Sequence, residues 1–211
     1  IIKLGAMGDV IRTTPVLRKL KALHPDCEIT WISYFPEVLP SLVDRKWKLD
    51  IRSVTVLQAE NFDQAYNFDK DLEACALLNL VQAKIKKGFI LLDGRPSPID
   101  HDSLHKFWTG IDDDFCKKYT WSYPKEIFQM AGWEFQNEEY VMDPPEPFPL
   151  EIPGVSDHEP IIGLNTGCGT RWLKRLWPEE HWVQLAKMIV KKGGKVVLLG
   201  GPDEDQKNRR I

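Results

Sequence analysis

Chemistry in this chain concentrates in polar stretches that follow short apolar runs. The first runs from Lys3 to Asp9 and reads K-L-G-A-M-G-D. Gly5 and Gly8 free the backbone to turn sharply where an extended run ends, and amides across Gly5, Ala6, Met7 and Gly8 can face an anion. The spacing is GxxGD rather than GxGxxG, so the dinucleotide fingerprint fails. Asp9 would repel a phosphate. A single carboxylate at such a mouth suits a general base, since an aspartate is a weak base in water that desolvation strengthens. It suits a helix cap equally well, and spacing alone does not choose between the two.

The second stretch, Asn165 to Arg175, reads N-T-G-C-G-T-R-W-L-K-R. Gly167 and Gly169 permit close backbone approach, Thr166 and Thr170 offer hydroxyls, and Arg171, Lys174 and Arg175 supply charge for a diphosphate. GxxxxGK[ST] is missing, so this is no P-loop. The competing reading is a solvated basic loop. In the third stretch, Gly200-Gly201-Pro202-Asp203-Glu204, a carboxylate just past a strand can accept hydrogen bonds from ribose hydroxyls. The residues by themselves favour a plainer role, with Asp203 as N-cap and Glu204 in the first helical turn.

Weaker signals surround these. Asp112-Asp113-Asp114 imitates the DxD of metal-dependent sugar transferases but reads better as a solvated acidic turn. Lys84, Lys86 and Lys87 make a basic run suited to an anionic acceptor or a membrane surface, with a solvated face as the default. His101 and His105 have i, i+4 spacing without a further ligand, and His181 reads as a packing or surface residue. Cys27, Cys75, Cys116 and Cys168 are scattered, which favours reduced thiols over a zinc site or disulfide framework.

The elements that position these stretches follow from periodicity. Residues 1–4 form a short strand, 5–8 a turn, and Val10, Ile11, Val16, Leu17 and Leu20 mark a helix. That helix begins near Asp9, or with Thr14 as N-cap and Pro15 in its first turn. Residues 28–33 complete a strand–helix–strand unit of a parallel sheet. Further strands are predicted over 53–57, 65–68 and 88–92, with a helix over 72–80. Residues 100–140, rich in aromatics, predict helical capping structure with its rings in the core, including a helix from Ser122–Pro124 to about Met130. Six prolines between Asp143 and Pro160 mark a linker. The pattern then restarts: strand 161–164, loop 165–175, helix 178–192 opened by Pro178, Glu179 and Glu180, strand 195–199, and a last helix opened by Asp203. The expected fold is α/β, with Rossmann-like domains over 1–150 and 151–211, the second incomplete. Both ends are expected to be cut, since no initiator Met opens the chain and its last helix lacks a stop signal.

The 211 residues, 43% hydrophobic and 28% charged, belong to the globular class. A net charge of -3 argues against a dedicated nucleic-acid binder. No apolar run approaches the ~18 residues that cross a bilayer, and no signal peptide is evident, so a cytoplasmic protein is expected.

Two stretches resemble a known family. IIKLGAMGDVIRTTPVLRKLKALHP is similar to the amino terminus of bacterial ADP-heptose:lipopolysaccharide heptosyltransferases, glycosyltransferase family 9, and IIGLNTGCGTRWLKRLWPEEHWVQLAKMIVKKGGKVVLLGGPDEDQKNRRI resembles the start of their donor-binding domain. The resemblance implies a GT-B fold of two Rossmann-like domains facing a cleft, the first for the acceptor and the second for ADP-heptose. It implies inverting transfer of heptose to a lipopolysaccharide inner-core acceptor of the Kdo-lipid A type, with Asp9 as base. The loop before Trp177-Pro178, including Thr166, Gly169 and Thr170, would hold the diphosphate with Lys174 or Arg175, and Glu204 would contact the ribose. The family carries a single lysine two residues before the tryptophan. Here Arg175 holds that place and Lys174 precedes it. ADP-heptose enters as a substrate, and no cofactor or metal is implied. Peripheral contact with the inner face of the inner membrane follows from such an acceptor, and a piece lacking half its donor domain would turn over poorly. The alternatives are a transferase using another nucleotide sugar, a GT-B-like epimerase and a non-catalytic nucleotide-binding module.

Overall fold

The structure, a computed structural model, describes residues 1–144, 160–168 and 174–211. Two compact units divide it, Ile1–Pro145 and Glu146–Ile211, against the expected boundary at 150. Most of the predicted linker lies outside the described residues.

The first unit contains α1 (Met7–Thr13), α2 (Pro15–Leu23), β1 (Thr30–Ser33), β2 (Arg45–Lys48), α3 (Ile51–Ala59), β3 (Asn61–Asn67), α4 (Leu72–Leu80), β4 (Gln82–Leu92), β5 (Arg95–Pro98), α5 (Leu104–Trp108), α6 (Asp113–Lys118) and α7 (Tyr123–Met130). Residues 1–4 form its central extended segment. Ile2 bridges in parallel to both Ile32 and Asn67. The Ile2 N–H donates to the Tyr66 carbonyl at 2.7 Å, and the Ile32 N–H to that of Ile1 at 2.9 Å. β1 pairs in parallel with β2, and β3 with β4. The order is therefore β2, β1, residues 1–4, β3, β4, with β5 added antiparallel. Strand order reverses at residues 1–4, and in open parallel sheets ligands bind beyond the carboxyl ends at such a point.

Helices cover both faces. Val10, Val16, Leu17, Phe89, Ile127 and Phe128 share one core cluster, whereas Ile2, Leu4, Leu57, Leu77, Leu78 and Val81 share another. β1 is buried at every position, as a strand covered on both faces must be.

Three local expectations require correction. Residues 53–57 are helical, not extended: Asp50 accepts from the Ser53 N–H at 2.8 Å, Ser53 Oγ accepts from the Asp50 N–H, and this capping box launches α3 despite its β-branched residues. A strand not foreseen, β2, carries the short alternation R-K-W-K. β4 begins earlier than residue 88 and turns at Asp93-Gly94 into β5. Both turn residues have positive φ, 49° and 72°, as a two-residue hairpin loop requires. Gly88 marks where β4 leaves its parallel partner. Its φ is 102°, and a Cβ there would lie 1.8 Å from the Asn67 carbonyl oxygen.

The second unit contains β6 (Ile161–Asn165), α8 (Glu179–Lys191), β7 (Lys195–Leu199) and, after a 3-10 turn over Pro202–Glu204, α9 (Asp205–Asn208). β6 and β7 pair in parallel from Ile161↔Lys195 to Asn165↔Leu199, the start of a second Rossmann-like sheet.

Candidate functional site

In the first unit the K-L-G-A-M-G-D stretch joins the central segment to α1 at the carboxyl edge of the sheet. Ala6, not Asp9, stands at the N-cap, and no side chain caps the helix. Asp9 lies in the first turn with its N–H bonded to the Ala6 carbonyl at 2.8 Å. Its carboxylate accepts from Arg12 Nη1 at 3.0 Å, and the two side chains are 38% and 47% exposed. The capping alternative is thereby corrected: Asp9 is the third residue of α1, not its cap, and its carboxylate bonds Arg12 rather than a helix amide. Thr14 joins α1 to α2 without a side-chain cap, so the two expected helix starts are two consecutive helices.

The glycines are corrected as well. Neither Gly5 nor Gly8 has a positive φ. A Cβ on Gly8 would meet nothing within 4 Å, and one on Gly5 would make an ordinary 3.7 Å contact with Tyr34. The turn is held instead by polar residues that sequence reasoning missed. Lys3, 3% exposed, donates through Nζ to the Gly5 carbonyl at 2.6 Å and pairs with Asp69 Oδ1. Asp69 Oδ2 accepts the Leu4 N–H, and Ser33 Oγ donates to the Leu4 carbonyl at 3.2 Å. The overlooked signal was a lysine inside an apolar run and an aspartate just past a strand end.

Cations gather around the Tyr123 ring beside the last turn of α1. Arg12 lies 4.1 Å above the Tyr123 ring, and Lys106 Nζ is 5.1 Å from the same ring while bonded to Glu126 at 2.6 Å. Burial pushes the Tyr123 phenol well above its usual range, with a hydrogen bond to Thr13 opposing, so the ring is a neutral platform. Lys70 donates to the Lys106 carbonyl at 3.3 Å, and burial, then Lys106, lowers the pKa of its amine.

In the second unit the structure brings the second and third stretches together at the ends of β6 and β7. Thr166 is buried, and its hydroxyl donates to Asn208 Oδ1 at 2.5 Å while its carbonyl accepts from Lys207 at 2.6 Å. Its single proton is thus engaged within the unit. Glu204 Oε2 accepts the Gly201 N–H at 2.8 Å. Gly201 is the N-cap of the 3-10 turn, which corrects the placement of Asp203 there. A Cβ on Gly167 would lie 2.5 Å from Glu204 Cδ, so this glycine makes room for the carboxylate. Lys174 and Arg175 are exposed. Gly169, Thr170 and Arg171 lie outside the described residues. Trp177 packs edge-on against Trp182, with ring centroids 5.0 Å apart, and Glu179 at the head of α8 holds Arg210 at 2.5 Å.

The weaker signals resolve locally. Asp112 accepts from the Phe115 N–H at 2.9 Å and caps α6, so the acidic triplet opens a helix. Lys84 pairs with Asp63, Lys86 bonds the Asn79 carbonyl, and Lys87 pairs with Asp100 and Asp102, so the basic run is engaged residue by residue. His105 stacks near Tyr119 and Trp121. Among the described residues no group of three His, Cys, Asp or Glu could hold a metal ion, and no helix is long and apolar enough to cross a membrane.

Residues 51–211 match the model of glycosyltransferase family 9 (heptosyltransferase). The chain belongs to this family. As a family 9 protein it is 22% identical over its whole length to lipopolysaccharide heptosyltransferase 1 of Escherichia coli strain K12, of which it spans 70%. It is 23% identical to lipopolysaccharide heptosyltransferase 3 of Escherichia coli over 94% of its length and 62% of that protein's. Of solved structures, E. coli heptosyltransferase WaaC with ADP-2-deoxy-2-fluoro heptose matches 99% of this chain and 71% of that one, with TM-score 0.61 and 17% identity. A family 9 glycosyl transferase from Veillonella parvula DSM 2008 matches 99% and 64%, with TM-score 0.69 and 19% identity. The family 9 chain is a glycosyltransferase with the GT-B fold of paired Rossmann-like domains.

Proposed function

We propose that this family 9 enzyme transfers heptose from ADP-heptose to a lipopolysaccharide inner-core acceptor of the Kdo-lipid A type, with inversion, at the cytoplasmic face of the inner membrane. The first unit serves the acceptor and the second the donor. An acceptor hydroxyl attacks the anomeric carbon and gives its proton to the Asp9 carboxylate. The bond from that carbon to the diphosphate breaks, and ADP leaves. Lys174 or Arg175, with Thr170, meets the charge that builds on the leaving diphosphate, and Glu204 meets the ribose. Thr166 and Gly167 hold the loop and leave space for Glu204.

The observation that carries this reading is the placement of Asp9. Its carboxylate caps no helix amide, stands partly exposed at the carboxyl edge of the sheet, and has Arg12 beside it. Lys106 by the Tyr123 ring and Lys70 beside Lys106 suit an anionic acceptor. The heptosyltransferase relatives favour the sugar, and a relative's structure holding an ADP-linked heptose analogue favours ADP as the nucleotide.

The test is turnover of the full-length enzyme with ADP-heptose and a deacylated lipopolysaccharide core. Asp9→Ala should lower kcat by about a thousandfold or more while ADP affinity changes less than about threefold. Turnover near the parent value would remove Asp9 as base. Efficient use of a different nucleotide sugar in place of ADP-heptose would remove the donor assignment.

A further inference from the structure

The turn that carries Asp9 has a support that its glycines do not explain. Lys3 and Asp69 are 3% and 8% exposed and form an ion pair in the protein interior. The attraction within such a pair adds little net stability, because desolvation offsets it. What this pair does is bind main chain. Asp69 takes the Leu4 N–H, Lys3 takes the Gly5 carbonyl, and Ser33 Oγ with the Tyr34 N–H takes the Leu4 carbonyl. Asp69 is itself oriented, since its N–H donates to Asn67 Oδ1 at 3.0 Å and Asn67 Nδ2 donates to the Phe89 carbonyl at 2.8 Å. The polar chain thus runs from β4 through the end of β3 to the residue where α1 departs.

We propose that Lys3 and Asp69 are positioning residues for sugar transfer, fixing the Leu4–Gly5 turn so that Asp9 stands where it must meet the acceptor hydroxyl. This rests on the reading of Asp9 as base. A general base works only within hydrogen-bond reach of its proton, so a small drift of the turn reduces turnover while donor binding is untouched.

The experiment uses the full-length enzyme with ADP-heptose and deacylated core. Lys3→Met combined with Asp69→Leu leaves no unpaired charge, and it takes away the partners of the Leu4 N–H and the Gly5 carbonyl. The double variant should fold with a lowered melting temperature, since two main-chain groups lose their partners, and keep its ADP-heptose KM within about twofold, yet lose about 50-fold or more in kcat per folded molecule. Asp69→Glu, which keeps both charges but moves the carboxylate by one methylene, should lose about tenfold in kcat. Parental kcat in either variant overturns the proposal, and if the double variant does not fold, Asp69→Glu decides alone. Asp9→Asn separates the two readings. Turnover surviving that change removes the base, whereas an inactive Asp9→Asn beside a fully active pair variant removes only the positioning role.

Discussion

A diphosphate can be met by a point charge on a flexible stem or by a planar fork, and this chain offers both side by side in Lys174 and Arg175. Both are exposed on the approach to Trp177. Arg175 occupies the position two before the tryptophan, and a guanidinium there can engage two phosphate oxygens at once. Arg175→Ala is therefore expected to raise the Kd for ADP about tenfold or more, and Lys174→Ala less than about threefold, measured by calorimetry. Equal, small effects would dismiss the cationic clamp. Residues of this kind, Asp9 included, present themselves as candidates by type and spacing. The bonds they make are less legible. Whether Asp9 caps depends on a helix start that shifts by a few residues, and Lys3 hides in its strand because hydropathy averages one charge into its apolar neighbours.

At the scale of elements, β2 is tied to the end of α3 by one fork. Arg45 donates to both oxygens of Glu60, at 2.9 and 2.7 Å, and also meets Glu28 at 3.1 Å. The hydrogen bond from Arg45 holds the Glu60 carboxyl below its usual range. A carboxyl whose pKa is lowered by folding adds stability above its unfolded value, and that contribution is lost as the pH falls through the folded value. The melting temperature should thus drop more steeply below about pH 4.5 in the parent than in Glu60→Gln. The pair is partly exposed, so the difference should be no more than about 1 kcal/mol, roughly 2–4 °C. Identical acid limbs would show that the fork contributes nothing. The start of α3 makes a second case. Ser53→Ala removes half of its capping box and should destabilise by about 1 kcal/mol in denaturant titration. The same helix was the least legible element. Val54, Thr55 and Val56 favour a strand by propensity, and the Asp50–Ser53 exchange that outweighs them has no acidic third residue to advertise it. The Asp93-Gly94 pair, by contrast, is a plain hairpin signal that the reading of 88–92 as a lone strand passed over.

Across the whole molecule, the repeated strand–helix–strand pattern made the α/β class legible, because period and glycine punctuation survive at low identity. The aromatic stretch from 100 to 140 was legible only in outline. Phe128 is fully buried in α7 and meets Trp133 and Phe135 edge-on, at 6.0 and 5.1 Å between centroids. Phe128→Ala should cost about 3–5 kcal/mol and lower the melting temperature accordingly, whereas truncating exposed Trp108 should change it by less than about 0.5 kcal/mol. Comparable losses would mean that the burial of these rings has been misplaced. The central place of residues 1–4 has one more consequence. They precede both sheet neighbours in the chain, and Ile2 must await Asn67 before its second edge is covered. As the polypeptide leaves the ribosome, that edge stays open until β3 has been made, so a nascent chain arrested before residue 61 would present an uncovered strand edge, with Lys3 still lacking Asp69, to chaperones and to other copies of itself.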